Sequence, residues 1–273
     1  MALTDLAADF SISDFSFSIE ELSVNAWPAL KTLLYDGWII RLSNGYSNRA
    51  NSINPIYPST KKLDEKIKYC EDFFSRYNLP AVYKIVGFEG FKPCEEHKAI
   101  DKKLEELDYE ITPETSIQTR EIMEFRDSVH AAGREGMIVT GDFDEHWIEV
   151  IIKNNSIEEK HIPTFGKILE NIAVEKIVVR KEIGGKTAAC AFGAIENDYV
   201  GIFDVGVMEE FRGKGFGREI VETILAEAAK RGVKNSYLQV MLINHVALSL
   251  YKKLGYKEKY RYWYRKKVEK RKA

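Results

Sequence analysis

The sequence predicts a mixed α/β (α+β) fold in two successive units, each with a mixed, largely antiparallel sheet flanked by helices. Length comes first: 273 residues exceed the usual single-domain size, so one large domain or two of roughly 100 to 150 residues fit. Second, both halves run strand, helix, strand, helix, strand, with LEELDYE after the last helix of one and YKKLGYKE after that of the other. That order suggests a duplicated unit; the plainer reading is that any two αβ stretches look alike at this level. Third, apolar spacing in the second half switches from helical to alternating.

In the first half, TLLYDGWIIRLS reads as two strands turning at Asp36 and Gly37, and RANSINPI as another. Leu63, Ile67, Cys70 and Phe74 recur at helical spacing and stop before Asn78 and Pro80. AVYKIV then reads as a short strand, a helix carries Ile100, Leu104 and Leu107, and ETSIQTREI alternates. The glycine- and charge-punctuated HAAGREG, 130–136, marks the seam, which divides the chain into 1–132 and 133–273.

The second half opens with helices over 144–153 and 158–171, the first entered through an aspartate suited to an N-cap. KIVVRKE and KTAACAFGAIE flank Ile183, Gly184 and Gly185, a hairpin signal, and YVGIFDVGVM, 199–208, is an apolar strand. A helix over 218–231, the strand SYLQV and a helix over 244–254 follow, with Gly232 and Gly255 where helix ends favour glycine.

Composition excludes whole classes. With 45% hydrophobic and 30% charged residues the chain buries enough apolar surface to fold, which rules out wholesale disorder. Lys plus Arg number 40 against 42 Asp plus Glu, a net charge of -2, so no overall field favours nucleic acid. The basic stretch 259–273, interleaved with Tyr260, Tyr262, Trp263 and Tyr264, could stack on bases, but an aromatic final strand with a solvated tail suits the net charge better. Cys70, Cys94 and Cys190 are odd in number and lack C-x-x-C spacing, which points to reduced thiols in a cytoplasmic setting. The first residues carry acids where a cationic leader would stand, and no apolar run reaches the roughly 18 residues of a membrane span. No metal is expected: His97, His130, His146, His161 and His245 never pair at ligand spacing. DFDEHW fails as a calcium loop because Trp147 stands at its sixth position and Lys153 at its twelfth.

One segment carries chemistry. In EEFRGKGFGRE, Arg212, Gly213, Lys214, Gly215, Phe216 and Gly217 precede a helix expected near Arg218. Glycines let the main chain approach a ligand, and a helix start leaves N–H groups unpaired with about half a positive charge. A phosphate or pyrophosphate is the natural occupant, with Arg212, Lys214 and Arg218 adding cationic side chains. The dinucleotide pattern G-x-G-x-x-G fails because Arg218 stands at its third glycine, and no Gly-Lys-Ser or Gly-Lys-Thr makes a P-loop.

Arg212, Gly215 and Gly217 instead make R-x-x-G-x-G, and here the sequence resembles the GNAT superfamily of N-acetyltransferases, whose loop cradles the pyrophosphate of acetyl-CoA. NHVALSLYKKLGYKE is similar to that family's second signature: Asn244 opening a helix, Tyr251 seven residues on, and a Leu-Gly-aromatic ending. Seven residues place the two side chains within about 20° and about 10 Å on a helix. The resemblance spans about 176–265; GIFDV, YLQV and YRYWYR are similar to a tandem branch with a degenerate first half, which 22–86 resembles more loosely. Glu209 stands where many relatives have proline.

The resemblance implies a role for each residue beside a plainer one. Gly206 interrupts a strand, marking a bulge or a close neighbour; in the family the matching strand donates a backbone N–H to the acetyl oxygen, which nominates Val205, Gly206 and Val207. Tyr251 resembles the general acid beside the sulfur, or is a core tyrosine. Asp204, two residues before Gly206 and on the same face by strand alternation, is the candidate base, or a structural hydrogen-bonding group. The expectation is an acyltransferase moving acetyl from acetyl-CoA to a small-molecule or peptide primary amine by direct attack. The alternative is a non-catalytic acyl-CoA sensor. The first half, lacking the loop, should bind no cofactor of its own and would shape an acceptor cleft at the seam.

Overall fold

The computed structural model describes residues 13–88, 92–126 and 135–267. In chain order the elements are α1 (Ser13–Ala26), β1 (Lys31–Tyr35), β2 (Trp38–Leu42), β3 (Ile53–Pro55), α2 (Leu63–Ser75), β4 (Val82–Phe88), β5 (Lys92–Pro93), α3 (Glu95–Glu106) and β6 (Tyr109–Ile111). Then come β7 (Thr115–Glu121), β8 (Met137–Thr140), α4 (Glu145–Asn154), α5 (Ile162–Glu170), β9 (Glu175–Ile183), β10 (Lys186–Glu196) and β11 (Tyr199–Val207). The chain ends with α6 (Phe216–Lys230), β12 (Asn235–Met241), α7 (His245–Lys253) and β13 (Lys257–Lys267). No described helix is long and apolar enough to cross a membrane.

The chain forms two compact units, Met1–Glu114 with Tyr260–Ala273, and Thr115–Lys259. The seam anticipated at 130–136 lies, except for Glu135 and Gly136, outside the described residues. Compactness divides the chain elsewhere because β7 pairs with β12 over Thr115 to Glu121, while the end of β13 pairs with β4.

In the first unit β1 to β2 and β2 to β3 are antiparallel, β3 runs parallel to β4, and β13 lies antiparallel to β4 and β6. In the second unit β8, β9, β10 and β11 are antiparallel in succession, β11 runs parallel to β12, and β12 is antiparallel to β7. Both therefore place one helix between two parallel strands, α2 in one and α6 in the other. Each has its own core. Trp38, Ile40, Ile67, Phe74, Tyr83 and Leu104 anchor the first; Ile220, Ile224, Leu225, Val200 and Leu238 anchor the second, where the apolar face of α6 meets the sheet.

The hairpin turns form where expected: Asp36 and Gly37 have φ of 43° and 81°, and Gly184 and Gly185 have 57° and 77°, so both pairs take the left-handed conformation that two-residue hairpins need. The sequence reading did not anticipate α1, although its buried Ile19, Leu22 and Ala26 are three and four residues apart. It also missed β8, an edge strand of four residues with no alternation of burial.

Candidate functional site

The candidate residues of the second unit lie on three elements: β11, the turn into α6, and α7. Strand β11 pairs with β12 only from Tyr199 to Ile202 but continues to Val207 against β10. Beyond Ile202 the ladder between β11 and β12 ends.

A bulge produces the divergence. Phe203 opposes Phe192 and Gly206 opposes Cys190, so Asp204 and Val205 together stand across from Ala191. Asp204 has φ of 48°, a left-handed conformation costing an ordinary residue about 1–2 kcal/mol. This corrects the alternation argument: the irregularity occurs at Asp204 itself, so regular spacing cannot place its side chain on the face of Gly206. Gly206 is ladder-paired, and a Cβ there would meet Ile151 Cδ1 of α4 at 3.1 Å, so close packing accounts for the glycine. The Asp204 carboxyl oxygen Oδ2 is buried. Burial, and then the Asp204 charge, push the nearby Cys190 thiol well above its usual range. Val205 and Val207 pack partly buried against the core.

The turn itself is built from donors. Gly213 and Gly215 have φ of 78° and 85°, a conformation that side chains resist, and a Cβ at either would meet nothing, so the requirement is conformational. Gly215 is the N-cap of α6, which starts at Phe216, two residues earlier than expected. Among the described residues no acceptor meets the backbone N–H of Gly213, Lys214, Gly215, Phe216 or Gly217; hydrogen bonding resumes with Arg218 N and Glu219 N to Gly215 O at 3.0 and 3.1 Å. Of the other three helices of this unit, α4 is closed by Asp144 and α7 by Asn244, while α5 carries no side-chain cap. Helix α6 has no side-chain cap.

Cations surround the turn, though not all are free. Arg212 is exposed, its Nε donating to Val207 O at 3.3 Å. Lys214 is exposed with Nζ 5.1 Å from the Phe211 ring centroid, and Arg218 is tied to Glu222 at 2.6 Å. The Phe216 ring packs partly buried against the core.

Helix α7 supplies the phenol. Tyr251 is 7% exposed, burial pushes its ionisation up to about 12, and no described residue bonds to its hydroxyl. Its position is set by a Schellman ending: Tyr256 N donates to Tyr251 O and Gly255 N to Lys252 O, both at 3.0 Å, with Gly255 at φ of 80°. The Tyr256 ring is thereby set 5.9 Å from that of Tyr251. The Leu-Gly-aromatic signature is thus a helix stop that braces the phenol. Asn244 behaves otherwise than expected: it is the N-cap, its Oδ1 accepts from Ala247 N at 3.1 Å, and its φ and ψ of -88° and 73° lie outside the helix. Helical spacing therefore does not align it with Tyr251, and it is exposed where Tyr251 is buried. Sequence reasoning also missed the end of the β11–β12 ladder at Ile202, which only strand pairing reveals.

The family described as "Probable histone acetyltransferase Rv0428c C-terminal" matches residues 17–265. The chain belongs to the GNAT family of N-acetyltransferases. This GNAT chain is 24% identical over 239 residues to "Uncharacterized N-acetyltransferase YobR" of Bacillus subtilis, covering 87% of this chain and 93% of that one. Over 74 residues, 27% of the chain and half of the relative, it is 35% identical to the "[Ribosomal protein bS18]-alanine N-acetyltransferase" of Escherichia coli. In fold it is similar to a GCN5-related N-acetyltransferase from Kribbella flavida, with a TM-score of 0.63, 13% identity and coverage of 96% and 97%. A tandem GNAT protein from the clavulanic acid biosynthesis pathway gives 0.61, 12% identity and coverage of 94% and 88%. The GNAT protein is an acyltransferase. Among its described residues no cluster of His, Cys, Asp or Glu is arranged to hold a metal ion.

Proposed function

We propose that the second unit binds acetyl-CoA and transfers its acetyl group directly to a primary amine of a small molecule or peptide. The observation that carries this reading is the run of five amides without acceptors, Gly213 to Gly217, entering an uncapped helix. A diphosphate suits them because the amides supply directed donors and the helix end supplies about half a positive charge. Arg212 and Lys214 add cationic side chains, while Val205, Gly206 and Val207 offer main-chain groups beside the thioester.

Acetyl-CoA supplies an activated acyl group and a thiol leaving group. Burial keeps Tyr251 protonated throughout the neutral range, so it serves as hydrogen-bond and proton donor to the sulfur. Asp204, held at the bulge, is the group assigned to receive the proton from the acceptor amine. That the bS18 relative acts on an alanine of a ribosomal protein supports an amine acceptor of this class. The first unit has no counterpart of the glycine-rich turn, and we assign it no cofactor.

The test combines two measurements. Acetyl-CoA should shift the amide resonances of Gly213 to Gly217, and amines should drive release of the CoA thiol. Unmoved amides would remove the binding site; binding without acceptor-dependent thiol release would leave the chain a sensor and overturn the transferase.

A further inference from the structure

The first unit contains the same junction of a short strand, a turn and a helix leading to a parallel strand, and there the chain's own side chains fill it. Its turn is 56–62, with Lys62 as the N-cap of α2 and no side-chain cap. Thr60 and Lys61 stand two and one residues before that cap, as Gly213 and Lys214 stand before Gly215. Their amides donate to the carboxylate of Asp36, Thr60 N at 3.0 Å to Oδ1 and Lys61 N at 2.8 Å to Oδ2, and the Thr60 hydroxyl adds a bond of 2.7 Å. Lys66, 1% exposed, lies 3.3 Å from Asp36 Oδ2. Tyr57 N donates to Gly37 O at 3.0 Å, so the tip of the β1–β2 hairpin is fastened onto the turn.

A second, separate observation lies one step along the same junction. Strand β3 pairs with β4 at a single position, Ile53 with Tyr83. Beyond it the buried His97 spans the gap: its Nδ1 accepts from Val86 N at 3.1 Å, and its Nε2 lies 3.0 Å from Pro55 O.

We infer that the β3–α2 turn is a seat for a phosphate-type anion that the Asp36 carboxylate permanently occupies, with His97 closing the strand gap beside it. While both side chains are in place, the first unit takes no phosphorylated ligand. The inference does not depend on acetyl transfer in the second unit, since every group in it belongs to the first.

The experiment is Asp36→Gly in the full chain. Glycine accepts the positive φ at this position, so the substitution vacates the seat without straining the turn. Titration with inorganic phosphate should shift the Thr60 and Lys61 amide resonances in the variant and leave them in place in the wild type. Phosphate should also restore part of the melting temperature the variant loses, beyond any gain in the wild type. A folded variant whose Thr60 and Lys61 amides ignore phosphate overturns the inference. If the variant does not fold, the wild type decides: the Asp36 carboxyl carbon shift should stay flat from pH 7 to about 4, and titration in the ordinary aspartate range, about 3.9, overturns it.

Discussion

Two helices in this chain follow a strand and lead to its parallel neighbour, and their first turns are completed in opposite ways. At α2 the approach carries side chains, Thr60 and Lys61, whose amides are held by Asp36. At α6 the approach carries Gly213 and Gly215, and the amides meet no acceptor among the described residues. The fourth residue past each cap follows suit. Lys66 faces the internal carboxylate in one, whereas in the other Glu219 is turned onto Lys181 at 2.9 Å. On the two readings proposed above, a single topology provides an anion seat twice, with local residues deciding whether the anion comes from within the chain or from outside.

The largest effect that sharpens this contrast belongs to the chemistry proposed for the second unit. Tyr251→Phe should lower kcat by about 10²- to 10⁴-fold, the span of general acid catalysis, while acetyl-CoA binds as before. Because the phenol ionises at about 12, the loss should be the same across pH 6 to 9. Undiminished turnover would remove Tyr251 from the reaction.

Next in size is Gly215→Ala. Forcing a side chain into φ of 85° costs about 1–2 kcal/mol, so the variant should melt earlier and bind acetyl-CoA weakly; intact binding would break the assignment of the turn. Gly217→Ala separates binding from stability. A Cβ at Gly217 meets Val207 Cγ2 at 3.4 Å and Leu250 Cδ2 at 3.6 Å, ordinary contacts, so the protein has room for it. Helix propensity predicts stability unchanged or raised by up to about 1 kcal/mol. With the Gly217 amide a donor to the diphosphate, as proposed, the added methyl should crowd the ligand and weaken Kd about tenfold, which corresponds to about 1.4 kcal/mol. Equal affinity in calorimetry would mean that the ligand lies elsewhere.

Much of this was legible in the sequence because local rules govern it. An Asp-Gly and a Gly-Gly pair set the two hairpins, Gly232 and Gly255 end their helices with φ of 87° and 80°, and R-x-x-G-x-G marks the turn. Features set by partners distant in sequence were not legible. The bulge at Asp204 and Val205 exists only relative to β10, whereas the reading took Gly206 as the mark of the irregularity. Asn244 satisfied a motif, yet its side chain is spent on Ala247 N. The Asp36 bonds join a hairpin tip to a turn 24 and 25 residues away, which no periodicity announces.

The smallest expected effect tests the internal anion by its charge alone. Hydrogen bonds from the Thr60 hydroxyl and then the Lys61 amide hold the Asp36 carboxyl well below the usual carboxylate range. A carboxyl depressed in the folded state adds stability above its unfolded value, and that contribution fades as pH falls from about 3.9 toward the folded value. Asp36→Asn keeps the size and tolerates the positive φ, but removes the charge. The stability difference between wild type and variant, measured by urea unfolding, should therefore be level from pH 7 to about 5 and shrink below about 4. A difference that stays constant into acid would mean that shape, and not charge, fills the seat in the first unit.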